Sequence, residues 1–182
     1  MFTNHPRPNR RSIRLKDYDY SQPGFYLVTI CIEDRKCEFG QIIDGQMHLS
    51  GEGQIVQSVW EKLPQRFPTV QLDCFVTMPN HMHGIIELMD LPDDPSDNSR
   101  VPIRFQKSMQ EAKKKAARPT LGKVVRYFKG AVTYEIHKMG RPDFEWQRNY
   151  YESVIRNEKI LADARLYIVN NPATWMMDTL HK

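Results

Sequence analysis

The sequence predicts an α+β fold: a ferredoxin-like antiparallel sheet with helices on one face, plus a C-terminal helix. Three observations lead there. Once a short hairpin at residues 39–49 is set aside, the elements run strand, helix, strand, strand, helix, strand. The two middle strands meet at Pro79-Asn80, a turn pair with proline suited to the first central position. Two segments repeat apolar residues at helical spacing between good start and stop residues.

Residues 1–22 read as a basic arm, since Pro6 and Pro8 oppose regular structure and Arg7, Arg10, Arg11, Arg14 and Lys16 cluster there. The rest, 23–182, reads as a single domain. Residues 25–32 are aromatic and β-branched and follow Pro23-Gly24, which marks a buried strand. Asp44-Gly45 between 39–43 and 47–49 signals a hairpin. Ser50 is a helix cap, Ile55, Val59, Trp60 and Leu63 form one face, and Pro64 is expected to stop the helix. Residues 70–78 and 81–88 are the two middle strands. Pro92, Pro95, Pro102 and Pro119 with many charges mark an insertion around 89–119, helical near 109–117. Thr120 caps a helix running to about Met139, with Val124, Phe128, Val132 and Ile136 inward. Gly140-Arg-Pro142 breaks it. Residues 144–146 are expected as the last, short strand. A final helix starts near Asn157 and ends at Asn170 or Asn171, before Pro172.

The chain has 182 residues, enough for a substantial core, with 40% apolar and 26% charged residues, which excludes wholesale disorder. No apolar run approaches the ~20 residues of a membrane span, so no membrane partner is expected. Cys31, Cys37 and Cys74 form no CxxC pair, which excludes zinc ribbons and disulfide scaffolds and fits a reducing cytoplasm. The formal charge is +4, but Arg100 to Arg141 holds 12 Lys/Arg against Glu111 and Glu135. That segment is therefore +10 and the remainder −6. Tyr127, Phe128 and Tyr134 interleave with Arg126, Lys129 and Lys138. Such a block suits a polyanion, nucleic acid first. The plainer reading is a solvated helix face, and Lys113, Lys114 and Lys115 suit either.

Two constellations carry chemistry. On a strand, His81 and His83 share one face while Met82, with Ile86, faces the core. Two imidazoles at i and i+2 supply half of a metal site; otherwise they are ordinary polar residues. Tyr167 and Asn171, four apart on the terminal helix, also share a face. A tyrosine hydroxyl can attack phosphorus, a bound ion can polarise the phosphate, and Asn171 can offer a third oxygen. Alternatively Tyr167 packs with Leu166 and Ile168. Tyr150 and Tyr151 are competing nucleophiles.

The stretch Phe75-Val-Thr-Met-Pro-Asn-His-Met-His-Gly-Ile-Ile86 resembles the HUH signature (histidine, hydrophobic residue, histidine) of single-domain tyrosine transposases of the IS200/IS605 type. Three segments resemble the branch associated with repetitive extragenic palindromes (REP): Arg11-Ser-Ile-Arg-Leu15 with Tyr18-Asp-Tyr20, Trp146-Gln-Arg-Asn-Tyr-Tyr151 with Val154-Ile-Arg-Asn157, and Tyr167-Ile-Val-Asn-Asn-Pro172. Together they span nearly the whole chain. The resemblance implies a single-strand DNA endonuclease and strand transferase acting on hairpin or palindromic DNA. His81 and His83 would hold one Mg²⁺ or Mn²⁺, with Asn171 as third ligand where many members carry glutamine. Asn170 is the alternative. Tyr167 would form a 5′-phosphotyrosyl link and release a 3′-hydroxyl. Arg10, Arg11, Arg14, Lys123, Arg126 and Lys129 would contact the DNA, and the protein would sit in the bacterial cytoplasm with the nucleoid. Members occur as monomers and as homodimers with shared sites, and no feature here selects one.

Two rivals remain at this level. One is a DNA-binding protein without cleavage activity. The other is a cupin-like metal enzyme, because His81, His83 and Glu87 match half of a cupin ligand pattern. Asp94 stands where that pattern needs glycine, and the two helices fit an all-β barrel poorly.

Overall fold

The computed structural model describes residues 18–90 and 118–181. Arg10, Arg11, Arg14 and the helix expected near 109–117 lie outside the described residues. Four strands build the main sheet: β1 (Gly24–Cys31), β4 (Val70–Met78), β5 (His81–Leu88) and β6 (Tyr151–Ile155). Their spatial order is β4-β5-β1-β6, with every neighbouring pair antiparallel. This is the ferredoxin-like arrangement of the β-α-β-β-α-β chain order. A cupin barrel is thereby ruled out. β2 (Gly40–Ile43) and β3 (Gln46–Leu49) form the separate hairpin. Its turn places Asp44 at φ 50° and Gly45 at φ 73°, the left-handed pair that a two-residue hairpin loop requires.

Helices α1 (Gly51–Glu61) and α3 (Leu121–Lys138) cover one face of the sheet. Ser50 Oγ caps α1 at Gly53 N and Thr120 Oγ1 caps α3 at Lys123 N. The core between them holds Tyr26, Val28, Ile30, Met82 and Ile86 from alternate strand positions, with Val56, Trp60, Val124, Phe128, Val132 and Ile136 from the helices. Helix α4 (Glu158–Asn170), capped by Asn157 Oδ1 on Ile160 N, packs on the opposite face. There Leu161 and Ile168 meet Ile85 and Ile155. The Arg165 guanidinium also pairs with Asp73, which sits where the β4–β5 register slips between Leu72 and Phe75. These contacts set the rotation of α4, and hence where Tyr167, two residues past Arg165, points.

Two sequence expectations are corrected. Pro64 does not end the helical run; it occupies the first turn of a second short helix, α2 (Leu63–Arg66), where its missing N–H costs nothing. The last helix ends at Asn170, before Pro172, as expected; Pro172 opens a 3-10 turn, Pro172–Met177, and Asn171 keeps helical angles of φ −56°, ψ −45° despite preceding it. The last strand of the sheet is 151–155, not 144–146. Trp146 makes only an isolated bridge to Ile32, because its indole is drawn inward against Phe39, Phe128 and Phe144.

Gly84 lies on the core face of β5 between Met82 and Ile86, and the Trp60 ring rests on it. A Cβ there would stand 2.4 Å from Trp60 Cζ2, and Trp60 is 0% exposed, so the ring has no solvent side to retreat into. Gly84→Ala is therefore expected to cost about 1–3 kcal/mol through overpacking. Urea unfolding should show a lower midpoint with an unchanged slope.

Candidate active site

Strand alternation puts His81, His83 and Ile85 on the α4 face of β5, and this face carries the polar cluster. His81 is 0% exposed and His83 is 2% exposed. Their Nε2 atoms stand 3.0 Å apart, with ring centroids at 4.6 Å. Each Nδ1 has a partner of its own: Asn80 Oδ1 at 2.7 Å for His81 and Thr29 Oγ1 at 2.7 Å for His83. Thr29 is the residue directly opposite His83 in the β1–β5 register, so the sheet pairing delivers it. Both imidazoles thus turn Nε2 toward one centre, the arrangement that supports ligation when the other ring nitrogen is hydrogen-bonded.

Helix α4 brings the phenol to this centre. Tyr167 Oη lies 3.1 Å from His83 Nε2, and the two rings meet edge to face at 5.0 Å. Tyr167 is 47% exposed, so it joins the buried imidazoles to solvent. Desolvation raises the phenol's pKa above its ordinary value, and the neighbouring Asn171 side chain pulls the other way. Asn171 is 2% exposed and its Oδ1 is buried with no hydrogen-bond partner among the described residues. Asn170 faces solvent instead. Tyr151 pairs with Thr29 across β1 and β6 and so shares the His83 face, two strands away, a backbone separation of about 10 Å. Tyr150 packs against the main core.

The sequence reading did not single out Asp178. It follows the 3-10 turn that Pro172 opens, and its Oδ2 lies 3.7 Å from His81 Nε2, buried and without a hydrogen-bond donor among the described residues. The ligand atoms of His81, His83 and Asp178 all lie within 4.8 Å of one another. Trp175 from the same turn stacks near His81 at 5.9 Å between ring centroids. No spacing rule marks a lone acid this far beyond the tyrosine; the turn geometry creates the proximity. The two imidazole nitrogens and the Asp178 carboxylate make a donor set that can hold one divalent cation.

Burial lowers the His81 pKa to about 2, with the His83 and Arg35 charges adding to it, and lowers that of His83 to about 4. Both rings stay neutral in the folded chain at pH values where the unfolded chain takes up protons. Without metal, stability should be full above the ordinary histidine pKa of 6.5 and fall as the pH drops below it. The loss is on the order of 2 kcal/mol per imidazole by pH 5. Thermal midpoints in EDTA between pH 7.5 and 5 measure it, and His83→Phe should flatten the slope.

The basic residues lie elsewhere. Lys123 and Arg126 are exposed on α3, across the sheet from the imidazoles. Exposed Tyr127 and Arg66 extend this surface, with the Arg66 guanidinium 5.7 Å from the Tyr127 ring. Lys129 turns inward, where Nζ donates to Gln147 O and Arg148 O and burial lowers its pKa. Its ammonium ties α3 to the segment before β6, an assignment that charge counting could not make. Among the described residues no helix is long and apolar enough to cross a membrane.

No family model matches the chain. A Haemophilus influenzae protein described as uncharacterized is 42% identical over 173 residues, which cover 95% of this chain and 93% of that protein. The chain belongs to the same family as that protein. Among solved structures it is similar to a REP-associated tyrosine transposase bound to a REP hairpin, at 21% identity and a TM-score of 0.49, covering 89% of this chain and 73% of the other. It is also similar to a Deinococcus radiodurans chain described as a candidate transposase, at 14% identity and a TM-score of 0.38, covering 86% of this chain and 95% of the other.

Proposed function

We propose that this chain is a metal-dependent single-strand DNA endonuclease and strand transferase that acts on hairpin or palindromic DNA through a 5′-phosphotyrosine intermediate. The observation that carries the reading is the partly exposed Tyr167 hydroxyl 3.1 Å from His83 Nε2, beside a buried imidazole pair and the buried oxygens of Asn171 and Asp178, which have no hydrogen-bond partner among the described residues. In this reading His81, His83, Asp178 and Asn171 hold one Mg²⁺ or Mn²⁺, which supplies Lewis-acid polarisation of the scissile phosphate when bound. The Tyr167 oxygen attacks phosphorus and the P–O3′ bond breaks. The phenolic proton ends on the departing 3′ oxygen. The products are a tyrosyl 5′-phosphodiester and a free 3′-hydroxyl, and reversal with a second 3′-hydroxyl rejoins strands.

Residues 23–182 form the catalytic unit in this reading, with the insertion around 89–119 within it and the arm 1–22 preceding it. Lys123 and Arg126 on α3, and Arg10, Arg11 and Arg14 in the arm, position the DNA through its phosphates. The place of action is the bacterial nucleoid. The reading is tested by incubating the protein with an end-labelled single-stranded hairpin and Mn²⁺ and looking for a denaturation-resistant adduct. Peptide mapping should locate the label on Tyr167. Hairpin binding with no adduct under any divalent cation would instead identify a DNA-binding protein without chemistry.

A further inference from the structure

We propose that Asn80 is a positioning residue: it fixes His81 as the Nδ1–H tautomer, so that Nε2 presents a lone pair to the site, and it ties that ring to the C-terminal turn carrying Asp178. The inference rests on the metal-bearing reading above.

Asn80 is 0% exposed and its side chain makes three contacts. Nδ2 donates to Arg35 O at 3.2 Å and to Leu180 O at 2.9 Å. Both partners are carbonyl oxygens and can only accept, so the amide nitrogen must face them and both its hydrogens are used. That leaves Oδ1, an acceptor, opposite His81 Nδ1 at 2.7 Å. The ring nitrogen facing it must carry the proton. A neutral imidazole has one N–H, so His81 Nε2 is left with its lone pair in the site. The amide cannot be flipped without setting NH₂ against a ring N–H and a carbonyl oxygen against two others.

Thr29 treats His83 differently. Its hydroxyl can donate or accept, so it tolerates either tautomer of that ring. In the ion-free chain a His83 Nε2–H can serve the His81 Nε2 lone pair 3.0 Å away. His81 is thus the fixed donor and His83 the adaptable one.

The same amide joins three parts of the chain. The segment after β1 is sewn to the Pro79-Asn80 turn by Ile32 N to Asn80 O and Phe39 N to Pro79 O, both 3.0 Å. Within that segment Asp34 and Arg35 both adopt φ 56°, a left-handed conformation unusual for such residues. On the other side, Leu180 lies two residues beyond Asp178, and Leu180 N donates to Asp178 Oδ1 at 2.7 Å. Asn80 therefore holds both ends of the bridge from His81 to the carboxylate.

The test combines side-chain ¹H–¹⁵N correlation spectra at neutral pH with Mn²⁺ titration calorimetry of the full chain. Ion-free wild type should show His81 as the Nδ1–H tautomer. Asn80→Ala should mix the tautomers and weaken Mn²⁺ binding by roughly 10–100-fold, the usual cost of losing a group that orients a ligand. Asn80→Asp keeps the acceptor and loses both donors, so it should lower the melting temperature yet keep Mn²⁺ affinity within about threefold of wild type. A wild-type His81 protonated on Nε2 overturns the proposal. So does a folded Asn80→Ala that binds Mn²⁺ as wild type does, or an Asn80→Asp as weak as Asn80→Ala. If Asn80→Ala does not fold, the wild-type tautomer decides. If wild type binds no divalent cation, the metal-bearing reading fails, and the spectrum still reads the role of Asn80 on the ring.

Discussion

Tyr167→Phe is expected to abolish the covalent DNA adduct, lowering its rate of formation by roughly 10⁴-fold or more, as loss of an essential nucleophile does. Hairpin affinity should stay within about threefold of wild type, since DNA contact is assigned to phosphate-binding groups on other elements. The substitution isolates the hydroxyl. Phenylalanine keeps the ring that lies edge to face with His83 at 5.0 Å, and the side chain is 47% exposed, so packing is little disturbed. The removed oxygen stands beside His83 Nε2 but is not among the proposed metal donors, so Mn²⁺ affinity should be retained. Single-turnover incubation with labelled hairpin, read on a denaturing gel, measures the rate. Wild-type adduct formation by the variant would move the nucleophile elsewhere, with Tyr151 next because it shares the sheet face of His83.

Much of the fold was legible because its signals are local. The Asp44-Gly45 turn, the Ser50, Thr120 and Asn157 caps, and the strands at 70–78 and 81–88 all stand where short-range pattern puts them. The failures share a cause. β6 is an edge strand whose Glu152 and Ser153 lack the alternating apolar face that marks a strand, and its existence depends on pairing with β1, more than 100 residues earlier. Pro64 was read as a terminator, but proline is equally at home in the first turn of a new helical segment. At the site, strand parity placed His81 and His83 on one face, and helical spacing placed Tyr167 beside Asn171. Whether the two pairs meet depends on the rotation of α4, set by Arg165–Asp73 and by Ile168 against Ile85, which no local pattern encodes. Thr29 comes from register, and Asp178 from the turn after Pro172. Asn80 looked like a turn residue and nothing more.

Removing either imidazole should be nearly as damaging as removing the phenol, by a different route. His81→Ala and His83→Ala are each expected to weaken Mn²⁺ binding by more than about 100-fold, beyond the 10–100-fold typical of a supporting group. Adduct formation at limiting Mn²⁺ should fall in parallel. EDTA should have the same effect on wild type, reversed by adding Mn²⁺ back. The two oxygens then separate by charge. Asp178 brings a carboxylate whose Oδ2 is buried 3.7 Å from His81 Nε2, whereas Asn171 brings a neutral amide oxygen, also buried, and neither has a donor among the described residues. Two imidazoles and an amide leave a divalent ion with its full charge, so the carboxylate is the donor whose loss the ion feels most. Asp178→Asn, which preserves shape, should therefore cost more Mn²⁺ affinity than Asn171→Ala. Calorimetry on the four variants, with melting temperatures taken in EDTA to separate ligand loss from misfolding, gives the order. If Asn171→Ala proves the costlier, the amide is the principal oxygen ligand and Asp178 acts only through its hold on the C-terminal turn.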